Sequence, residues 1–192
     1  MTRYILHGGF TSADNEGNRT FYKEMSAGVP DEGTILLVYF AGSDEQVGGK
    51  FEQDKERILA GADGRTLNVR VATRENFIEE IKAANAVYMR GGDTEMLLAT
   101  LKEYPEFKEA ILGKVVSGSS AGAYVLSTYY YSSSHHNVGE GLGILPIRVI
   151  CHYQSEHRDF QETTDPVKVM ERYPSELKLI VLKDYEWEVV EQ

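Results

Sequence analysis

Over residues 115–126 an apolar run breaks off into Gly118-Ser119-Ser120-Ala121-Gly122, and small residues then lead into helix-forming sequence. No other stretch restricts the fold as tightly. Gly-x-Ser-x-Gly joins a strand to a helix through a turn so sharp that the residues two before and two after its tip must be tiny. Gly118 and Gly122 meet that need only if Ser120 is the tip and Ser119 is not. The tip side chain then stands clear of the sheet. The Ala121 N–H lies at a helix N-terminus, where negative charge is favoured. The sequence thus predicts a buried strand, a nucleophile elbow at Ser120 and a helix. Taken alone, the motif also fits a Gly/Ser turn that merely lets a strand and a helix approach closely.

The flanking sequence extends the pattern. Residues 4–6 are apolar and end in His7-Gly8-Gly9, and residues 34–41 form a continuous apolar run, the mark of a strand buried on both faces. Residues 67–72 alternate, and residues 86–89 end in Arg90-Gly91-Gly92-Asp93-Thr94. Helical sequence lies between these runs, around 20–26, from 48 to 59, from 73 onward, over 95–102 and around 107–112. Strands alternating with helices across short Gly-containing turns predict an α/β fold, a mostly parallel sheet flanked by helices on both faces. Residues 128–136, polar and aromatic, are expected to be irregular. Residues 147–151 read as a strand and 166–173 as a last helix. Residues 177–182 and 187–190 read as a hairpin turning at Asp184-Tyr185. No repeat or linker divides the chain, so residues 1–192 are expected to form one domain.

Composition removes several function classes. The net charge is −10 and no block of consecutive basic residues occurs, so nucleic acid is not an expected partner. One cysteine, Cys151, excludes an intrachain disulfide framework and a multi-Cys zinc site. No segment approaches the roughly 20 apolar residues of a membrane span, and the first apolar run is too short for a signal peptide. A cytoplasmic protein without membrane contact is expected.

A serine nucleophile needs a base, normally histidine. The candidates are His7, His135, His136, His152 and His157. His152 follows a strand, at the carboxyl end where open α/β sheets carry their sites, and His7 stands similarly after the first strand. His135-His136 fits a solvated loop pair. No Cys lies beside it, and no metal is expected. The Gly91-Gly92 turn can offer N–H groups to an oxyanion, or it can simply start a helix capped by Asp93 or Thr94. It matches neither Gly-rich phosphate pattern.

Four blocks occur in order: Gly8-Gly9, residues 91–98, residues 118–123, and Gly141-Leu142-Gly143-Ile144-Leu145-Pro146 leading to Cys151-His152-Tyr153. Together they resemble the S51 serine peptidases, the dipeptidase E (alpha-aspartyl dipeptidase) group, over essentially the whole chain. The resemblance implies a class I glutamine amidotransferase-like fold in which serine stands in place of cysteine. It also implies a serine exopeptidase or dipeptidase acting on short peptides without a cofactor, with the oligomeric state open between monomer and homodimer. Residue by residue it implies Ser120 as nucleophile, His152 as base, and the N–H groups of Gly92 and Ala121 as oxyanion hole. The acidic third member is taken as Glu140, the only carboxylate between Ser120 and His152. Arg158 is matched to the family's arginine that recognises a substrate aspartate, a fork of donors suited to a carboxylate. Two other readings stay open. One is hydrolysis of a different amide or ester on the same scaffold, since the segments around His152 are shorter than in dipeptidase E. The other is a non-catalytic binding protein.

Overall fold

The computed structural model describes residues 1–157 and 165–192. In chain order its first elements are β1 (Arg3–His7), α1 (Glu16–Ala27), β2 (Thr34–Val38), α2 (Val47–Ala60), β3 (Asn68–Val71), α3 (Phe77–Ala83), β4 (Ala86–Met89), α4 (Thr94–Lys102) and α5 (Phe107–Ala110). There follow β5 (Val115–Ser119), α6 (Ala121–Leu126), β6 (Tyr129–Ser132), β7 (Asn137–Glu140), β8 (Ile147–Ile150), α7 (Pro166–Met170), β9 (Lys178–Val181) and β10 (Trp187–Glu191). Six strands form the larger sheet in the order β10-β1-β5-β4-β2-β3. All its neighbours pair in parallel except β10, which runs antiparallel to β1. That last pairing brings the ends of the chain together, with reciprocal backbone hydrogen bonds between Thr2 and Gln192 at 2.8 and 3.1 Å.

Side-chain alternation explains why the inner strands β2 and β4 are apolar along nearly their whole length. Ile35 and Leu37 of β2 join Ile5, Ala86, Tyr88 and Val115 in a cluster under α1 and α2, which add Phe21, Met25 and Ile58. Leu36 and Val38 join Leu6, Val87, Met89 and Val116 on the opposite face. There α3, α4, α5 and α6 supply Phe77, Leu97, Phe107 and Val125. Each face buries its own set, so neither can be polar. Local signals fix the helix starts: the Asn15 side chain accepts from the Asn18 N–H at α1, and the Asp93 side chain accepts from the Met96 N–H at α4.

The second half of the chain departs from expectation in two places. Residues 129–132, expected to be irregular, form β6, an inner strand of a smaller sheet in the order β7-β6-β8-β9. Its tyrosines alternate between clusters, Tyr130 facing the large core and Tyr131 facing α7. The expected hairpin at Asp184-Tyr185 does not form either. β9 pairs in parallel with β8 in the small sheet, while β10 crosses to the edge of the large one. The turn between them therefore bridges the two sheets. It is fastened to the end of β1, since the Gly8 N–H donates to the Glu186 carbonyl and the Tyr185 N–H to the Gly9 carbonyl.

Candidate active site

The site lies where the carboxyl ends of β1, β4, β5 and β8 converge. Ser120 is the single residue between β5 and α6, and its backbone sits at φ 50°, ψ −110°. For a residue with a Cβ this is a strained conformation. The neighbours are as confined as the motif requires. A Cβ on Gly118 would lie 2.4 Å from the Gly122 carbonyl group, and one on Gly122 would lie 2.1 Å from the Met89 carbonyl oxygen. The Ser120 N–H donates to the His7 carbonyl at 2.9 Å, which locks the turn to β1.

His152 follows β8, also with positive φ (57°), and its N–H donates to the Gly8 carbonyl. The ring Nε2 lies 2.9 Å from Ser120 Oγ, and Nδ1 lies 2.7 Å from Asp184 Oδ1. A carboxylate oxygen can only accept, so Nδ1 carries the proton toward Asp184 and Nε2 accepts from the Ser120 hydroxyl. The His152 and Asp184 side chains are only 4% and 7% exposed, so water does not dilute this contact. The Ser155 hydroxyl donates to the other Asp184 oxygen at 2.5 Å. Gly9 makes room for the ring: it has φ 125°, and a Cβ there would lie 1.9 Å from His152 Cε1. The Phe10 ring meets the imidazole edge-on at 5.3 Å.

Asp184 thus stands where Glu140 was expected. Glu140 ends β7 opposite Tyr129, exposed to solvent, in the far edge strand of the small sheet. Arg158 lies outside the described residues. His135 and His136 occupy the exposed β6–β7 turn. His7, the other histidine at a strand end, serves the scaffold. Its Nδ1 accepts from the Gly9 N–H at 2.9 Å, and Nε2 donates to Asn18 Oδ1 at 2.9 Å. Burial pushes its pKa down to about 4, so the ring stays neutral. The Asn18 amide in turn donates to the Phe10 and Ala13 carbonyls, setting the loop beside the site.

A cavity of about 240 Å³ opens over Ser120 and His152, walled by residues 9–12 on one side and by Lys50 and residues 90–92 on the other. Gly92 lines it, and Ala121 opens α6, whose first amide groups have no acceptor within the helix. Arg90 enters the wall from a buried network. Its guanidinium donates to Asp54 Oδ2 at 2.9 Å, and the Tyr22 and Tyr39 hydroxyls donate to the same carboxyl group at 2.9 and 3.0 Å. Burial raises the Asp54 pKa, and Arg90 and the tyrosines oppose that rise. A larger cavity, about 520 Å³, lies between α1 and α2 and includes neither Ser120 nor His152. Among the described residues no group of three or more His, Cys, Asp or Glu could hold a metal ion, and no helix is long and apolar enough to cross a membrane.

The sequence model of peptidase family S51 matches residues 5–192. The chain belongs to peptidase family S51. It is a serine-type peptidase with the mixed α/β fold of that family, a mostly parallel sheet flanked by helices. Among solved structures, a peptidase from an acI-B1 Actinobacterium superposes with a TM-score of 0.68 at 23% identity, covering 98% of this chain and 83% of its own. A putative peptidase E protein from Listeria monocytogenes EGD-e superposes with a TM-score of 0.63 at 17% identity, covering 99% and 97%. No curated protein matches the chain. The S51 assignment agrees with the motif blocks around Ser120 and His152. No local motif marks Asp184, which lies in the turn between β9 and β10, so it could be found only by tracing which strand ends meet.

Proposed function

We propose that Ser120, His152 and Asp184 form a catalytic triad that hydrolyses short peptides in the cytoplasm. The observation that carries this reading is the continuous chain Ser120 Oγ–His152 Nε2, His152 Nδ1–Asp184 Oδ1, at 2.9 and 2.7 Å. In this mechanism Ser120 Oγ attacks the scissile carbonyl carbon while His152 Nε2 takes the hydroxyl proton. Asp184 holds the imidazole in the required tautomer and stabilises the imidazolium that forms. The N–H groups of Gly92 and Ala121 donate to the oxyanion. His152 then passes its proton to the departing amine, which leaves an ester on Ser120. Water, activated by His152, attacks that ester and restores the serine.

The size of the cavity, about 240 Å³, supports a small substrate. Its charge supports an acidic one: Lys50 lines it beside Arg90, whose own charge Asp54 already balances, and no Asp or Glu lines it among the described residues. A peptide with an N-terminal aspartate, a dipeptide above all, is therefore the preferred substrate, and Arg158 is the further group assigned to its carboxylate by the family resemblance. A panel of di- and tripeptides with and without N-terminal Asp, offered to wild type and Ser120→Ala, tests this. Turnover of Asp-Xaa members that vanishes in the variant is expected. Turnover of neutral peptides alone would remove the specificity, and failure on the entire panel would redirect the triad to another amide or ester.

A further inference from the structure

One side chain next to the nucleophile, Ser119, is tied to the opposite wall of the site. Pairing between β4 and β5 ends with Met89 opposite Gly118. Beyond that point the strands part, one into the 90–92 turn and the other into α6, and the Ser119 hydroxyl spans the gap. Its oxygen accepts from the Gly91 N–H at 3.0 Å and lies 3.1 Å from the Tyr88 hydroxyl. The Tyr88 hydroxyl donates to Thr11 Oγ1 at 3.4 Å, so the Ser119 proton goes to the Tyr88 oxygen and leaves the serine lone pairs for Gly91. Ser119 is 2% exposed and Tyr88 0%, so water does not compete for these bonds. Burial pushes the Tyr88 hydroxyl up to about 12, which keeps it protonated.

The contact sets the spacing between two backbone turns. Gly91 backs onto β5 so closely that a Cβ would lie 3.0 Å from both the Ser119 carbonyl oxygen and Ser120 Cβ. Its N–H is consumed by Ser119, so the next amide along, Gly92, is the one left to serve the cavity. The far end of the turn is held by the Asp93 N–H, which donates to the Ala41 carbonyl at 2.7 Å. At the end nearest Ser120, the Ser119 hydroxyl takes the place of a ladder hydrogen bond.

We propose that Ser119 is a positioning residue for the oxyanion hole: its hydroxyl, oriented by Tyr88, fixes the 90–92 turn against the 120–121 turn so that the Gly92 and Ala121 N–H groups converge on one oxygen. The proposal rests on the hydrolase reading above. The Ser119 hydroxyl is spent on Gly91 and Tyr88 and takes no part in the Ser120–His152 proton transfer. Loosening it misplaces a donor that acts mainly in the transition state, while ground-state binding and the Ser120–His152 proton transfer keep their geometry.

The test is the pre-steady-state burst of 4-nitrophenol from 4-nitrophenyl acetate, followed across pH in wild type, Ser120→Ala, Ser119→Ala, Ser119→Thr and Tyr88→Phe. Absence of a wild-type burst would overturn the hydrolase reading and this inference with it. Given a wild-type burst, Ser119→Ala is expected to lower its limiting rate constant about 10- to 100-fold. The half-saturating concentration and the pH midpoint should not move, and Ser119→Thr, which keeps the hydroxyl oxygen, should recover most of the rate. An unchanged rate constant, or a loss accompanied by a displaced pH midpoint, would overturn the inference. If circular dichroism finds Ser119→Ala unfolded, Tyr88→Phe decides: a several-fold loss confined to the limiting rate constant supports the role, and a wild-type burst removes it.

Discussion

In the proposed triad Asp184 acts through the imidazole of His152. Asp184→Asn keeps the size of the side chain but can present an N–H to Nδ1, which favours the tautomer that cannot accept from Ser120. We expect kcat/KM to fall about 10³- to 10⁴-fold with little change in melting temperature, measured by peptide turnover and thermal unfolding. His7 carries a different consequence of burial. Its pKa is about 4 in the folded protein against 6.5 when free. The unfolded chain therefore binds the extra proton first as pH falls. The stability linked to a neutral His7 is complete above about pH 6.5 and is lost as pH drops toward 4, a total of about 3 kcal/mol. In urea titrations at several pH values, His7→Gln should show a shallower loss over that window than wild type. These residues also mark what could be read from sequence. The Ser120 turn follows a local steric rule, written into Gly118 and Gly122, and His152 follows the apolar run of β8. Asp184 follows no local rule, since its meeting with His152 depends on where β9 and β10 go.

At the scale of elements, Asp54 of α2 ties that helix to the site wall. Asp54 is fully buried and holds Arg90, Tyr22 and Tyr39 together, joining α2 to α1 and to the turns after β2 and β4. Removing the carboxylate takes the acceptor from a mostly buried guanidinium and from two buried tyrosine hydroxyls. Asp54→Ala should cost about 3–5 kcal/mol, read from the shift of a denaturant midpoint. Elements were legible where burial on both faces leaves a continuous apolar run, as in β2 and β4. β6 was hidden because tyrosine, serine and histidine around residues 128–136 look solvated. Yet tyrosine suits a pleated strand, and Tyr130 stacks on Tyr124 with ring centroids 4.8 Å apart. The predicted hairpin failed for another reason. β9 and β10 are neighbours in sequence, but β8 and β1 each offered an open edge, and parallel pairing of β9 with β8 is a long-range choice that local pattern does not encode.

Across the whole molecule the two sheets are joined by the groups that form the site. The large core includes Val149, Ile180 and Leu182 of the small-sheet segment beside Leu6 and Val116 of the large sheet, and His152 is fastened to Gly8. Neither sheet keeps the Ser120–His152–Asp184 chain without the other, so residues 1–192 should unfold as one unit. Fluorescence of Trp187, the single tryptophan, far-UV circular dichroism and residual activity should share one urea transition, whereas separated midpoints would divide the chain into two domains. The closing of β1 against β10 has a further reach. Because Thr2 and Gln192 are hydrogen-bonded neighbours, a short Gly-Ser link between them turns the polypeptide into a near-continuous loop whose opening can be moved. The exposed turn at Asp63-Gly64, where a Cβ on Gly64 would meet nothing, is a natural place to cut. A protein permuted there would run through Ser120, His152 and Asp184 before it reaches β1, and would complete its site only when β1, α1, β2 and α2 are made in the last third of synthesis.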